Sequence, residues 1–175
     1  MSIDVFISED QIQKRIKELG EEITRDYKGE EVIVVGVLNG SFMFCADLVR
    51  VLKFPVITEF MAAASYGEGT TTSGDVKILL DIKTDIEGKH VLFIEDIVDT
   101  GHTFKKILEM VGKRNPKSVK IASLLSKPAR REHHIDIDYL AFEIEDKFVI
   151  GYGLDLGGKY RELPYIGVYN PEANS

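Results

Sequence analysis

In the run Val91-Leu92-Phe93-Ile94-Glu95-Asp96-Ile97-Val98-Asp99-Thr100-Gly101-His102-Thr103, an apolar segment leads into two acids and then into a turn of Asp, Thr and Gly. Val91–Ile94 is apolar on both faces, which predicts a central strand of a covered sheet. After the turn, Phe104, Ile107, Leu108 and Val111 recur at i, i+3, i+4 and i+7. They predict an amphipathic helix that ends before Pro116. A glycine-containing turn that opens a helix offers backbone N–H groups and the positive end of the helix dipole to an anion. Helix capping would use one hydroxyl. It does not account for Gly101 together with Thr100 and Thr103, so the pattern favours a phosphate site built without lysine. Glu95 and Asp96 are placed to accept hydrogen bonds from sugar hydroxyls, or to hold Mg²⁺ through water. The competing reading of these acids is a solvated acidic loop at a strand end.

The neighbouring segments repeat the alternation. Ile12, Ile16, Leu19 and Ile23 form one helical stripe, with Ser8 as N-cap, Gln11 at the capping-box position and Gly29 at the end. Val32–Leu38 predicts a second covered strand, Asn39-Gly40-Ser41 a turn, and Phe42, Cys45, Ala46, Leu48 and Val49 a helix bounded by Pro55. Strands are predicted over 58–65, at Val76, Ile78 and Leu80, and over 119–125, 137–142 and 148–151. The connection 66–75 is small, polar and glycine-rich, and loops of that length inside a compact domain are often lids. Strand and helix in this order give an α/β fold with a mostly parallel central sheet flanked by helices.

Composition excludes other classes. The 175 residues carry 22 Lys+Arg and 29 Asp+Glu, a net charge of −7, with 44% hydrophobic residues. That is globular rather than disordered, of a size for one domain, 1–175. Acidic charge argues against indiscriminate nucleic-acid binding. Cys45 is the single cysteine, so no disulfide or cysteine-zinc framework exists, and its apolar setting marks it as core. No apolar run reaches the roughly 20 residues of a membrane span. The first ten residues lack signal-peptide order, so a cytoplasmic location is expected. The chain has no G-x-x-x-x-G-K-[ST] motif, and Gly151-Tyr152-Gly153 misses dinucleotide spacing. His133-His134 has no further ligand at suitable spacing, so no metal is expected there.

Val91–Thr103 resembles the phosphoribosyl-pyrophosphate (PRPP) motif of type I phosphoribosyltransferases, and the wider chain is similar to their bacterial 6-oxopurine branch. The similarity runs in order through Val37–Phe42, Ser65-Tyr66-Gly67, Leu125-Ser126-Lys127-Pro128, Asp146–Asp155, Tyr160-Arg161 and Leu163–Gly167. It implies a small hood from the N- and C-terminal segments and a flexible lid at about 66–75, led by Ser65 and Tyr66. It implies Mg²⁺-dependent transfer of 5-phosphoribosyl from PRPP to hypoxanthine, and to guanine, with release of pyrophosphate. By the same resemblance Asp99, Thr100, Gly101, His102 and Thr103 hold the 5′-phosphate, and Glu95 and Asp96 the ribose. Leu38, Asn39, Gly40, Ser41 and Arg161 would meet pyrophosphate. Lys127, Phe148, Val149 and Asp155 would form the purine site. Glu95, Asp96 and Asp155 would serve Mg²⁺. A homodimer or homotetramer is implied.

Chemistry supports these roles separately. Loss of pyrophosphate leaves cationic character at C1′, and Asp99 is placed to take the purine N7 proton as general base. Lys127 has donors only, which suits a 6-oxo group and opposes a 6-amino group. Three departures stand out: Asn39 where Lys or Arg is frequent, Glu145 where Pro is common, and Leu156 in place of a frequent aromatic. The alternatives left open are a phosphoribosyltransferase for xanthine, adenine or a pyrimidine, and a PRPP-sensing nucleic-acid-binding regulator on the same fold.

Overall fold

The computed structural model describes residues 2–66 and 75–172. Its elements are β1 (Ser2–Ile7), α1 (Glu9–Tyr27), β2 (Val32–Leu38), α2 (Phe42–Val49), β3 (Val56–Tyr66), β4 (Asp75–Leu80), β5 (His90–Val98), α3 (His102–Gly112), β6 (Ser118–Ser126), β7 (Tyr139–Glu143), β8 (Val149–Ile150) and β9 (Ile166–Asn170). The main sheet has the order β4-β3-β2-β5-β6-β7. Every pair in it is parallel except β3–β4.

The two-sided apolarity of β2 and β5 has a direct cause. Val32, Val34, Leu92 and Ile94 pack into a core with the α1 residues Ile12, Ile16, Leu19 and Ile23. Ile33, Val35, Val37, Val91 and Phe93 pack on the opposite face with the α3 residues Phe104, Ile107 and Val111. Alternate residues of one strand thus feed two cores. Each α1 stripe residue is at most 2% exposed, and burial of such a side chain contributes roughly 1.5–3 kcal/mol. The helix starts as its sequence specifies: Ser8 accepts from the Gln11 N–H, and Gln11 returns a bond to the Ser8 N–H. It ends with Lys28 in the left-handed conformation just before Gly29.

A second sheet, order β1-β9-β8, joins both ends of the chain in antiparallel pairing and forms the hood. Periodicity did not flag β1 or β9. β1 mixes exposed Asp4 and Val5 with buried Ile7 and carries a register irregularity between Val5 and Ile7, so it has no clean alternation. The lid expected at 66–75 lies, apart from its end residues, outside the described residues.

Candidate active site

Strand divergence opens the site. β2 pairs with β5 only as far as Gly36 and Ile94. Beyond that, β2 runs on beside β3 to Leu38 and Ala62, while β5 continues beside β6 to Val98 and Ser126. Neighbouring strands that leave one another at their carboxyl ends create the crevice where open α/β sheets bind ligands. A cavity of about 260 Å³ sits there, lined by Val37, Leu38, Asn39, Gly40, Ala63, Glu95, Asp96, Ile97, Val98, Asp99, Gly101, Thr103, Phe104, Asp155 and Arg161.

Glu95 and Asp96 belong to β5 rather than to a loop after it, which corrects their expected place at the strand end. Both still line the cavity, and each carboxylate folds back on the chain. Glu95 accepts the Asp96 N–H at 3.0 Å, and Asp96 accepts the Ile97 N–H at 2.7 Å. Glu95 is buried, and this loss of solvation pushes its carboxyl well above the usual range; the charges of Asp96 and then Asp99 push it further. These carboxylates offer hard oxygen donors that suit Mg²⁺. Among the described residues, Glu95, Asp96 and Asp155 do not bring their oxygens within 4.8 Å of one another as a closed ligand group.

The anion turn follows. The Asp99 carboxylate accepts the Thr100 N–H at 2.7 Å, and Thr100 Oγ1 accepts the His102 N–H at 3.4 Å. Gly101 has φ +86°, and a Cβ there would lie 2.8 Å from the His133 carbonyl oxygen and 2.9 Å from Ile135. It precedes α3 without a side-chain cap of its own; with the His102 N–H turned to Thr100, the first-turn residues at the cavity wall are Thr103 and Phe104, next to Gly101. Thr100 and His102 do not line the cavity. The His102 imidazole instead meets Glu132 and His133.

Arg131 went unrecognised in the sequence, where it reads as part of a polar connection. Its guanidinium donates to the carbonyls of Asp99 (2.8 Å) and Val98 (3.3 Å) and to Ser126 Oγ (2.8 Å), holding the turn from behind. Its position four residues past Lys127 gave no signal of this, because the contact is made through backbone carbonyls.

The Leu38–Ser41 loop faces this turn across the cavity. The Leu38–Asn39 peptide is cis. Ser41 is buried, and its hydroxyl has no hydrogen-bond partner among the described residues. Opposite, Arg161 donates to the Gly153 carbonyl at 2.6 Å and pairs with Asp155 at 3.2 Å. Asp155 also accepts the Gly158 N–H at 2.7 Å. Tyr152 donates to Asp47 of α2 at 2.5 Å; burial, then this bond, raises its phenol pKa so that it stays a donor.

Lys127, Phe148 and Val149 stand outside the cavity wall. Lys127 follows β6, is 7% exposed, and lies 3.5 Å from Asp146, which is also 3.8 Å from Arg130. The Lys127 N–H donates to the Val98 carbonyl at 3.0 Å, tying it to the anion turn. Phe148 is 53% exposed, edge-on to Tyr169. Val149 pairs with Val168 through backbone. Ser65 is exposed at the end of β3. Cys45 is buried, and burial pushes its thiol up to about 11, as expected of a core residue.

An anion turn, flanking acids and a facing peptide loop at a strand divergence define an enzyme that handles phosphorylated sugars. Residues 8–156 match the phosphoribosyl transferase domain family, and the chain belongs to it. The hypoxanthine phosphoribosyltransferase of Salmonella typhimurium is 50% identical over 168 residues, covering 95% of this chain and 94% of that protein. A hypoxanthine-guanine phosphoribosyltransferase from Bacillus anthracis superposes with a TM-score of 0.93 at 45% identity, covering 97% of this chain and 100% of that one. A Trypanosoma cruzi hypoxanthine phosphoribosyl transferase, solved in work on how its C-terminal region affects oligomeric state and activity, gives a TM-score of 0.91 at 45% identity. It covers 97% of this chain and 92% of that one.

Proposed function

We propose that the chain transfers the 5-phosphoribosyl group from PRPP to N9 of hypoxanthine, and of guanine, giving the nucleoside monophosphate and pyrophosphate. The observation that carries this is one cavity shared by the anion turn, the ribose acids, the Leu38–Gly40 loop and Arg161. A sugar with a phosphate at one end and pyrophosphate at the other needs those three recognition surfaces in that order. The half-identical relative that acts on hypoxanthine supports the choice of base.

In this reading Asp99, Thr100, Gly101, His102 and Thr103 form the 5′-phosphate turn, in which Asp99, Gly101 and Thr103 line the cavity while Thr100 and His102 shape the turn through their mutual hydrogen bond. Glu95 and Asp96 hold the ribose hydroxyls. Leu38, Asn39, Gly40, Ser41 and Arg161 receive the departing pyrophosphate, and fixed donors aimed at a growing negative charge lower the barrier. Glu95, Asp96 and Asp155, with water, would hold Mg²⁺, which would supply positive charge toward the departing pyrophosphate. Asp99 takes the N7 proton of the base. Lys127 donates to O6, Phe148 stacks, and the Val149 backbone reads the ring edge. Residues 1–175 act as one domain in a cytoplasmic homodimer or homotetramer, and the exposed Phe42, Phe60, Leu79 and Leu80 offer apolar surface for such an assembly.

The test is a Mg²⁺-dependent assay of PRPP with hypoxanthine, guanine, xanthine, adenine and uracil supplied singly. Pyrophosphate release is expected with hypoxanthine and guanine. Faster turnover of adenine or uracil would overturn the base assignment, and no turnover with any base would overturn the activity.

A further inference from the structure

The fold assembles a side-chain cluster on the back of the anion turn that lies far apart in sequence. Glu132 and His133 both donate their backbone N–H to the Thr100 carbonyl, at 2.9 and 3.0 Å. This brings the Glu132–His133 turn against the start of α3. There His133 Nε2 lies 3.1 Å from His102 Nδ1, and Glu132 Oε2 lies 2.7 Å from His102 Nε2. The two imidazoles meet edge to face with centroids 4.4 Å apart. One ligand atom from each of His102, Glu132 and His133 lies within 4.8 Å of the others. They border a surface hollow that His102 and His133 share with Lys105, Lys106 and Glu109. The expectation that no further ligand stands at suitable spacing from His133 is therefore corrected: beside its neighbour Glu132, His102 comes from α3, about thirty residues earlier.

We propose that His102, Glu132 and His133 form a binding site for a divalent transition-metal ion of the Zn²⁺ class, separate from the Mg²⁺ carboxylates of the cleft. Two nitrogens each 2.0–2.1 Å from a tetrahedral zinc stand about 3.3 Å apart, close to the 3.1 Å seen here. Two imidazoles and one carboxylate select a borderline ion over Mg²⁺. Coordination through His102 Nδ1 and His133 Nε2 uses the tautomers that carry the N–H on the opposite ring nitrogen, so the hydrogen now between the rings moves within its imidazole. Glu132 is more than half exposed, so its carboxylate is free to swing from His102 onto the ion, leaving the remaining positions to water. An ion here ties the first residue of α3 to the turn that holds the Thr100 carbonyl.

The probes are Zn²⁺ by titration calorimetry and Co²⁺ by visible absorption, both in excess Mg²⁺ so that the cleft carboxylates are filled. One equivalent is expected to bind, with tetrahedral Co²⁺ bands. His133→Ala and Glu132→Gln are each expected to weaken binding by about tenfold or more, with circular dichroism confirming that the variants fold. Absence of binding to the wild-type chain, or undiminished affinity in both folded variants, overturns the proposal. The reaction assay with the five bases has no bearing on either result.

Discussion

Gly153 and Gly40 meet backbone to backbone. A Cβ on Gly153 would lie 2.1 Å from the Gly40 carbonyl oxygen, and Gly153 has φ +98°. The hood side of the chain is thereby pressed onto the loop assigned to pyrophosphate. On the other side of that loop, a Cβ on Gly40 would lie 1.7 Å from an Asp96 carboxylate oxygen. The loop lies between Asp96 and the Gly153 segment; at Gly153 the obstacle is fixed backbone, whereas at Gly40 it is the end of the Asp96 side chain.

Gly153→Ala therefore has two costs: a left-handed backbone and a backbone collision. Strain of this kind costs about 1–3 kcal/mol. The expected outcome is a lower midpoint in urea unfolding and a raised KM for PRPP. Wild-type stability together with wild-type KM would show that the loop has slack.

Asp99→Asn keeps an oxygen to accept the Thr100 N–H, the bond seen at 2.7 Å. It removes the basic carboxylate. PRPP affinity is expected to hold, while kcat with hypoxanthine falls by about 10²–10⁴-fold, the usual share of general-base catalysis. Equilibrium binding and steady-state rates separate the two effects. Unchanged turnover would remove Asp99 as the base.

Lys127→Ala removes a buried ammonium that lies 3.5 Å from Asp146. A hydrogen bond to a charged group contributes about 1.5–3 kcal/mol. The KM for hypoxanthine is expected to rise roughly ten- to a hundredfold, and the preference over adenine to shrink. Intact discrimination against adenine would reject the O6 assignment.

Glu95 gives a pH signature. Its folded-state pKa is raised above the ordinary 4.5, chiefly by burial and then by Asp96. Above pH 4.5 the folded state therefore holds more protons than the unfolded state, and stability falls as pH rises toward the folded value. Without Mg²⁺, Glu95→Gln is expected to flatten this decline and raise Tm at neutral pH while lowering turnover. Parallel Tm-against-pH curves for the two proteins would show that Glu95 carries no such burden.

Arg131→Lys tests the support behind the anion turn. A lysine cannot reach the Asp99 and Val98 carbonyls and Ser126 with the same fork of donors. PRPP binding is expected to weaken several-fold with little change in the hypoxanthine KM. Equal loss for both substrates would point to general destabilisation.

The main sheet was legible because its strands declare themselves locally. Val32–Leu38 and Val91–Ile94 are apolar at every position, since each strand feeds two cores. The turn between β5 and α3 was legible for the same reason: a strand, a glycine at φ +86° and a helix follow one another directly. What sequence could not show are contacts made by distant backbone. Arg131 reaches carbonyls, which have no identity in a sequence. His102 meets Glu132 and His133 only because their N–H groups bond Thr100. β1 and β9 are defined by each other, and neither pattern suffices alone.

The hood joins Ser2–Ile7 to Ile166–Asn170, and β8, which carries Val149, hangs on that same late strand. During synthesis the main sheet is complete once β7 has emerged at Glu143, whereas β1 and β8 have no partner strand until β9 follows at Ile166–Asn170. A nascent chain therefore closes its main sheet first and its hood last, and loss of a few residues from either end strikes the hood before it strikes the main sheet.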